Sequence, residues 1–335
     1  TAESGVSAND RFSFTIFMLK KQPAKYIQPT GREHMREWST LKAAAQKNGV
    51  IISFQFNGAN ASIFSAAMRY TIKRWFQILS SDVVEHSGPY IELENTNKVV
   101  CALGSFWDKA KTPKWFVPLF SETTERDANA LQGIMKRRRR GFPPIFPLSH
   151  SESVAKHLTL LSNRLVSHAM WLWYDPAETL GVKHEDLQPH FVSITKTPQL
   201  VCWMTATERR IGVLGRLQAT GTHINAKFDI WPTETARWIR TPNHVLLNVH
   251  AYHDRGHLEV CRLSHPCVRG MCVVTEASDD TEAESELMRR GMLHGIWDGN
   301  PRTLSKVVVD AVARHAAFSN IDPNKMWALG PPKWW

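Results

Sequence analysis

The residues of this sequence best suited to ligand chemistry are five consecutive cations: Lys136, Arg137, Arg138, Arg139 and Arg140. An apolar stripe that includes Leu131 and Ile134 predicts a helix ahead of them, which Gly141 and three nearby prolines bring to an end. Cations are favoured at a helix C-terminus, but five of them exceed what this effect needs.

The arginines of this run can bind phosphate through paired hydrogen bonds, and the ring of Phe142 or Phe146 can stack on an unpaired base. The segment resembles in character the arms with which ribosomal and other ribonucleoprotein subunits grip RNA. It predicts a contact with RNA phosphates; a solvated charge run or a nuclear localisation signal are the alternatives.

A second group of cations belongs to a predicted helix over residues 60–79. Its apolar positions recur at helical spacing, and Arg69, Lys73 and Arg74 lie mostly off that face, which predicts a basic outer surface. The charge of the chain is one-sided in the same sense. The first 150 residues hold 21 Lys and Arg against 12 Asp and Glu, whereas the remainder holds 20 against 19. A local basic excess attracts nucleic acid or anionic lipid, although adaptation to a compartment with a basic proteome would also produce it.

Four metal-ligand side chains fall within twelve residues near the end of the chain: Cys261, His265, Cys267 and Cys272. Thiolates and imidazoles are the ligands that zinc prefers, so a structural zinc site is conceivable. The spacing lacks the paired C-x2-C knuckles of common zinc modules, and Cys261 and Cys272 fall within apparent strands. Small buried hydrophobic residues are therefore the favoured interpretation, and we expect no cofactor.

A cluster of His250, His253, Asp254 and His257 raises the question of a metal-dependent hydrolase. The order of the residues differs from the His-x-His-x-Asp-His arrangement that such an enzyme would need. The pattern predicts a surface hairpin that turns at residues 253–256, across which His250 and His257 could still face each other.

Two weaker signals have ordinary structural explanations. Gly212 and Gly215 form a G-x-x-G pattern like a nucleic-acid clamp, but the residues between them are apolar and lie in a strand pattern. The acidic segment at 279–284 is best explained by capping of a helix N-terminus. No phosphate loop, dinucleotide fingerprint, nucleophile elbow or H-E-x-x-H motif is present, which favours a protein that is not an enzyme.

The composition places the protein among ordinary globular chains. Of its 335 residues, 43% are apolar and 21% are charged, and no apolar run reaches the roughly 18 residues of a membrane span. Five cysteines, an odd number in a chain of this length, favour a reducing intracellular compartment. The start at Thr1 without methionine fits a protein whose targeting segment has been removed, which suggests the mitochondrial matrix.

The order of the patterns predicts an α+β protein. The first half alternates strands and helices, with strands at 11–19, 50–56, 90–93, 98–103 and 114–119 and helices at 32–47, 60–79 and from about 123 onward. After a helix at 153–173, strand patterns follow in series at 191–195, 200–206, 211–217, 226–230, 245–252, 257–263 and 271–275. This series predicts a mainly antiparallel sheet, closed by helices at 281–294 and 301–318. We expect a basic mixed α/β domain at 1–140, a Pro-rich linker or arm at 141–150, and an antiparallel-sheet domain with packed helices at 151–335.

These observations together favour a non-catalytic, RNA-associated structural or accessory subunit of a mitochondrial ribonucleoprotein, ribosomal or RNA-processing. The basic half would contact RNA, and Trp327, Trp334 and Trp335 would help to anchor the neutral half to other protein subunits. One alternative is a metal-dependent hydrolase or degenerate enzyme that uses the His250–His257 hairpin. Another is a matrix-side structural subunit of a membrane complex, where basic charge meets anionic lipid.

Overall fold

The elements that carry this fold are visible in a computed structural model, which describes residues 31–53, 69, 72–73, 75–86, 93–103, 113–120, 125–137, 146–149, 151–162, 167–168, 194, 197–228, 238–239, 241–251, 256–259, 262–263, 266–267 and 270–318. The described strands are β1 Val50–Ser53, β2 Val83–His86, β3 Val99–Leu103, β4 Trp115–Phe120, β5 Leu148–Ser149, β6 Ser167–His168, β7 Gln199–Met204, β8 Ile224–Phe228, β9 His244–Asn248, β10 Cys272–Glu276 and β11 Gly295–Trp297. The described helices are α1 Gly31–Asn48, α2 Glu125–Arg137, α3 Glu152–Ser162, α4 Glu208–Ala219, α5 Thr281–Arg289 and α6 Leu304–Phe318, with a 3-10 turn at Ser80–Asp82.

The strands form two sheets, and every described strand pairing is parallel. The first sheet has the order β2-β1-β3-β4-β5-β6, and the second has the order β11-β10-β9-β7-β8. The prediction of a mainly antiparallel C-terminal sheet is therefore wrong: the chain has the α/β arrangement throughout both sheets. Parallel strands are buried on both faces and consist of continuous apolar runs, and β7, β9 and β10 have this composition.

Both sheets share the strand order 2-1-3-4-5, counted from the first strand of each, which is the order of flavodoxin-like doubly wound sheets. The first sheet carries β6 as a sixth strand beyond this order. One face of the first sheet packs on α1 through Trp38, Leu41 and Ala45, and the other face packs on α2 and α3. In the second sheet, α4 and α6 cover one face and α5 covers the other.

Helix α4 occupies residues that the sequence predicted to be a strand at 211–217. Two glycines and several β-branched or bulky apolar residues in this segment imitate a strand, yet the buried side chains are Arg210, Val213, Leu214 and Leu217. Their spacing of three, four and seven residues places them on one helical face, so tertiary packing determines the outcome. Thr207 caps the helix by accepting a hydrogen bond from the backbone N–H of Arg210 at 3.3 Å.

The predicted hairpin at 250–257 is also incorrect, because β9 ends at Asn248 and its next partner, β10, runs parallel to it. Gly256 forms an isolated parallel bridge with Ser278, and the described residues within the predicted strand at 257–263 include helical positions at 262 and 263. The segment from β9 to β10 is therefore a crossover between parallel strands, which needs a dozen or more residues.

The first sheet continues past the Pro-rich segment at 141–150. β5 begins at Leu148 and pairs with β4, and β6 at Ser167–His168 pairs with β5. Helix α3 joins these two strands and packs Val154 and Leu158 against the same sheet. β5 and β6 thus belong to the first sheet, and α3 packs on it. The predicted strand at 11–19 lies outside the described residues, and so does the predicted strand at 90–93 except for Leu93, which belongs to a turn.

A buried carboxylate connects the two halves of the chain. Asp280 precedes α5, and its side chain accepts hydrogen bonds from Ser151 Oγ at 2.7 and 2.9 Å and from the backbone N–H of Ser153 at 2.9 Å. It also accepts one from the backbone N–H of Leu258 at 2.9 Å. Asp280 therefore satisfies a free N–H in the first turn of α3 while it stands at the start of α5.

Within the described part of the chain, no helix has the length and apolar character needed to cross a membrane, as the sequence predicted.

Candidate functional site at the carboxyl edge of the second sheet

The carboxyl ends of β7 and β9 lie at the point where the strand order of the second sheet reverses direction. In open α/β sheets, ligands bind in the crevice outside the strands at such a switch point. Here the crevice is bordered by the loop after β7, the first turn of α4, the residues after β9 and the end of β10. We therefore take this edge as the candidate functional site.

An ion pair between Arg209 and Glu276 spans the crevice. Arg209 Nη1 donates to Glu276 Oε2 at 2.9 Å, and its Nη2 donates a short hydrogen bond to Oε1, so the pair is bidentate. Only 15% of the Arg209 side chain and 3% of the Glu276 side chain are exposed. The backbone N–H of His250 donates to Glu276 Oε2 at 3.0 Å, and the carbonyl oxygen of His250 accepts from Arg209 Nη1 at 2.7 Å.

A second group of charges lies beside the first. The buried guanidinium of Arg210 donates to Glu259 Oε1 at 2.6 Å and to the carbonyl oxygens of Val249 and Thr205. Arg262 approaches the other oxygen of Glu259 at 3.4 Å. Burial alone would raise the pKa of Glu259, but Arg262 and Arg210 hold it down at about 2. Burial lowers the pKa of Arg210, and Glu259 opposes this effect.

The strand ends between these groups carry uncharged polar side chains. Asn248 Nδ2 donates to Thr275 Oγ1 at 3.0 Å, and both residues are buried. His250 Nε2 lies 2.9 and 3.1 Å from the carbonyl oxygens of Glu276 and Ala277. Since carbonyl oxygens only accept, Nε2 must carry a proton, and the imidazole serves to hold the end of β10.

This arrangement is equipped to hold an anion. The donors of Arg209 and His250 converge on a carboxylate, and Glu259 and Glu276 are both matched with arginines. Among the described residues, no three His, Cys, Asp or Glu side chains stand close enough together to hold a metal ion. The crevice thus contains oriented hydrogen-bond donors, and in this structure the carboxylate of Glu276 accepts from those of Arg209 and the His250 backbone.

The predicted histidine site is not assembled as a hairpin. His250 and His257 both lie close enough to Glu259 to lower the pKa of its carboxyl, so they gather around that residue. His253 and Asp254 lie outside the described residues.

The structure describes two of the four predicted zinc ligands. Cys261 and His265 lie outside the described residues. Cys267 and Cys272 are fully buried in the core, on opposite faces of the second sheet. Burial raises the pKa of both thiols, that of Cys272 to about 12.

The structure locates the predicted RNA-contacting residues only in part. Lys136 and Arg137 are the last residues of α2, and their side chains, together with Arg138, Arg139, Arg140 and Phe142, lie outside the described residues. Arg69 pairs with Glu85 at 2.8 Å and donates to the carbonyl oxygen of Val83 at 2.8 Å. Lys73 is half-buried, and Arg74 is not described. The prediction that Phe146 stacks on a base is wrong, because this ring is fully buried in the core of the first sheet beside Trp38.

The acidic segment at 279–284 has the predicted position at a helix start, because α5 begins at Thr281 with Glu282 and Glu284 in its first turn. The sequence did not reveal that Asp280 binds α3 instead of its own helix. It also gave no indication of Arg209 and Glu276, which lie far apart along the chain. An arginine two residues after the helix cap Thr207, shortly after the end of an apolar strand, is the signal that could have pointed to Arg209.

Comparisons with known proteins add no functional assignment: no family model matches the chain, and no curated protein matches it.

Proposed function

We propose that this protein is a non-catalytic, RNA-associated structural or accessory subunit of a ribonucleoprotein, one that acts in the mitochondrial matrix beside other protein subunits. The basic first half would bind RNA phosphates, and the second α/β unit would serve as a docking module. The observation that carries the proposal is the one-sided charge: 21 cations against 12 acids in the first 150 residues, followed by near neutrality.

The position of α2 supports an RNA-binding role for the basic run. Ala128, Leu131 and Ile134 of this helix are buried against the first sheet, so its axis is fixed by packing. The run begins in the last turn of α2. A cationic segment that starts from a fixed helix can contact the same phosphates repeatedly without ordering the whole arm on binding.

The second unit supports a structural role. At its carboxyl edge, Arg209, Arg210, Glu259 and Glu276 are joined in short internal ion pairs. General acid–base catalysis requires a titrating group that reaches a substrate, whereas these groups are held by one another. The hydrolase alternative also loses the hairpin on which it was based, since the strands on either side of it are parallel.

The decisive experiment is fluorescence anisotropy with a single-stranded RNA across a salt series. We expect a steep dependence of the binding constant on salt, and a variant with Arg137–Arg140 changed to alanine should flatten the logarithmic slope by up to about 3, at about 0.7 per phosphate contact. The matched control changes four exposed arginines of the second unit to alanine: Arg216, Arg289, Arg302 and Arg314.

The outcomes separate the alternatives. An equal loss in the arm variant and the control would show that binding follows net charge alone and would contradict an RNA-binding arm. Absence of RNA binding at low salt, together with salt-sensitive pelleting with vesicles of anionic lipid, would favour the subunit of a membrane complex instead.

A further inference from the structure

Three donors at the switch point of the second sheet converge on one carboxylate. Arg209 contributes Nη1 and Nη2, His250 contributes its backbone N–H, and both oxygens of Glu276 receive them. Arg209 follows β7 by a few residues, and His250 follows β9. These are the two strands whose carboxyl ends form the crevice where ligands of such sheets bind.

Glu276 enters this crevice from the neighbouring strand, β10. Its surroundings leave room for the carboxylate: Gly299, after β11, has a φ of +84°, and a Cβ at this position would lie 3.3 Å from Glu276 Oε1. The donors are held independently of Glu276 as well. Thr207 caps the helix that carries Arg209, and the carbonyl oxygen of His250 accepts from Arg209 Nη1 at 2.7 Å.

We infer that Arg209 and the His250 N–H form a carboxylate-binding site, and that the protein's own Glu276 occupies it in place of an external ligand. The ligand is the carboxylate of a small organic acid, and it enters when Glu276 leaves. This site is separate from the proposed RNA contact and does not depend on it.

The number of donors selects a carboxylate over a phosphate. Two oxygens accept all three hydrogen bonds, and the planar guanidinium fork matches the planar carboxylate. A phosphate would bring further oxygens for which this donor set has no N–H. One of its neighbours would be the carbonyl oxygen of His250, which repels an additional acceptor.

The test removes Glu276 and supplies acetate. In Glu276→Ala, acetate titrated against chloride at constant ionic strength should raise the midpoint of thermal unfolding in a saturable way. At about 100 times its dissociation constant, acetate should increase the ratio of folded to unfolded protein about 100-fold. The wild type should respond only at much higher acetate concentrations, because acetate must first displace the internal carboxylate of Glu276.

Glu286→Ala is the matched control. Glu286 also pairs with two arginines, Arg289 and Arg290, but on the partly exposed surface of α5. Its removal leaves no enclosed site, so acetate should not stabilise this variant. An equal acetate response in the two variants would overturn the inference, and so would a stronger response of Glu276→Ala to inorganic phosphate than to acetate.

Loss of folding would not obscure the result. If Glu276→Ala is unfolded in chloride, its refolding yield in acetate against chloride supplies the same measurement. A yield that rises only with acetate supports the site, and a variant that remains unfolded in both solutions contradicts it. Calorimetry of the variant with acetate should find one site per chain, and Arg209→Gln in the same background should abolish it.

Discussion

Replacing Asp280 with asparagine should loosen the junction between the two halves of the chain. Its Oδ1 accepts from the N–H of Ser153 and its Oδ2 from the N–H of Leu258, both at 2.9 Å, while Ser151 Oγ donates to the carboxylate. An amide has only one oxygen. Whichever way the new amide side chain turned, one of the two backbone N–H groups would face an NH2 group and lose its acceptor.

The expected cost follows from these contacts. A buried donor left without a partner costs about 1–3 kcal/mol, and loss of the negative charge weakens the remaining bonds. We expect a total of about 2–4 kcal/mol, which corresponds to a change of roughly 30-fold to 1000-fold in the unfolding equilibrium. Since the contacts join α3 to the segment before α5, we also expect the variant to separate the unfolding of the two halves.

Urea unfolding followed by tryptophan fluorescence and by far-UV circular dichroism measures both effects. Coincident transitions in the wild type that diverge in Asp280→Asn would show the loss of coupling. Asp279→Asn is the matched control, because Asp279 is the exposed neighbour and its replacement removes the same charge from the same helix terminus. It should cost at most about 1 kcal/mol. Equal costs for the two variants would refute the reasoning.

Three further predictions concern stability. Burial lowers the pKa of both His294 and His315, so the unfolded chain binds more protons than the folded chain once the pH falls below about 6.5. Their contribution to the free energy of unfolding should therefore be complete above pH 6.5 and decrease as the pH falls. His294→Gln should make the free energy of unfolding less dependent on pH, which urea titrations at about pH 7.5, 6.5 and 5.5 would measure. Gly49→Ala should cost more than about 1 kcal/mol in the same assay, because Gly49 has a φ of +81° and a Cβ there would lie 2.7 Å from the carbonyl oxygen of Asp82. Gly215→Ala should instead stabilise the protein by about 0.5–1 kcal/mol, because Gly215 lies in the middle of α4 with open space around it. A lower stability of Gly215→Ala than of Gly49→Ala would contradict the backbone conformations described for the two glycines.

Local patterns in the sequence were sufficient for most individual elements. Apolar runs located β1, β3, β4, β7, β9 and β10, and helical spacing located α1, α2 and the last two helices. The runs at Val245–Val249 and Met271–Thr275 lack polar alternation, which is typical of strands buried on both faces. Their parallel arrangement was therefore open to prediction from composition, and the misreading of α4 as a strand concealed it.

The candidate site could not be predicted in the same way. Arg209 and Glu276 meet only because β7, β9 and β10 stand side by side, and this adjacency depends on the strand order of the whole sheet. A basic run such as Lys136–Arg140 is visible in a sequence because its members are neighbours along the chain. A site assembled from strand ends has no comparable local signal.

The parallel pairing of β1 has a consequence for synthesis of the chain on the ribosome. Val50 pairs with Val83 on one side and with Val99 on the other, so β1 gains its first partner only after β2 has emerged and its second only after β3 has emerged. Elongation at about 5–20 residues per second leaves this apolar strand without its second partner for roughly 3–10 s. During that interval its unpaired backbone groups and apolar side chains are accessible to other nascent chains. An unpaired apolar strand near residue 50 is therefore exposed early in synthesis, well before the second sheet exists.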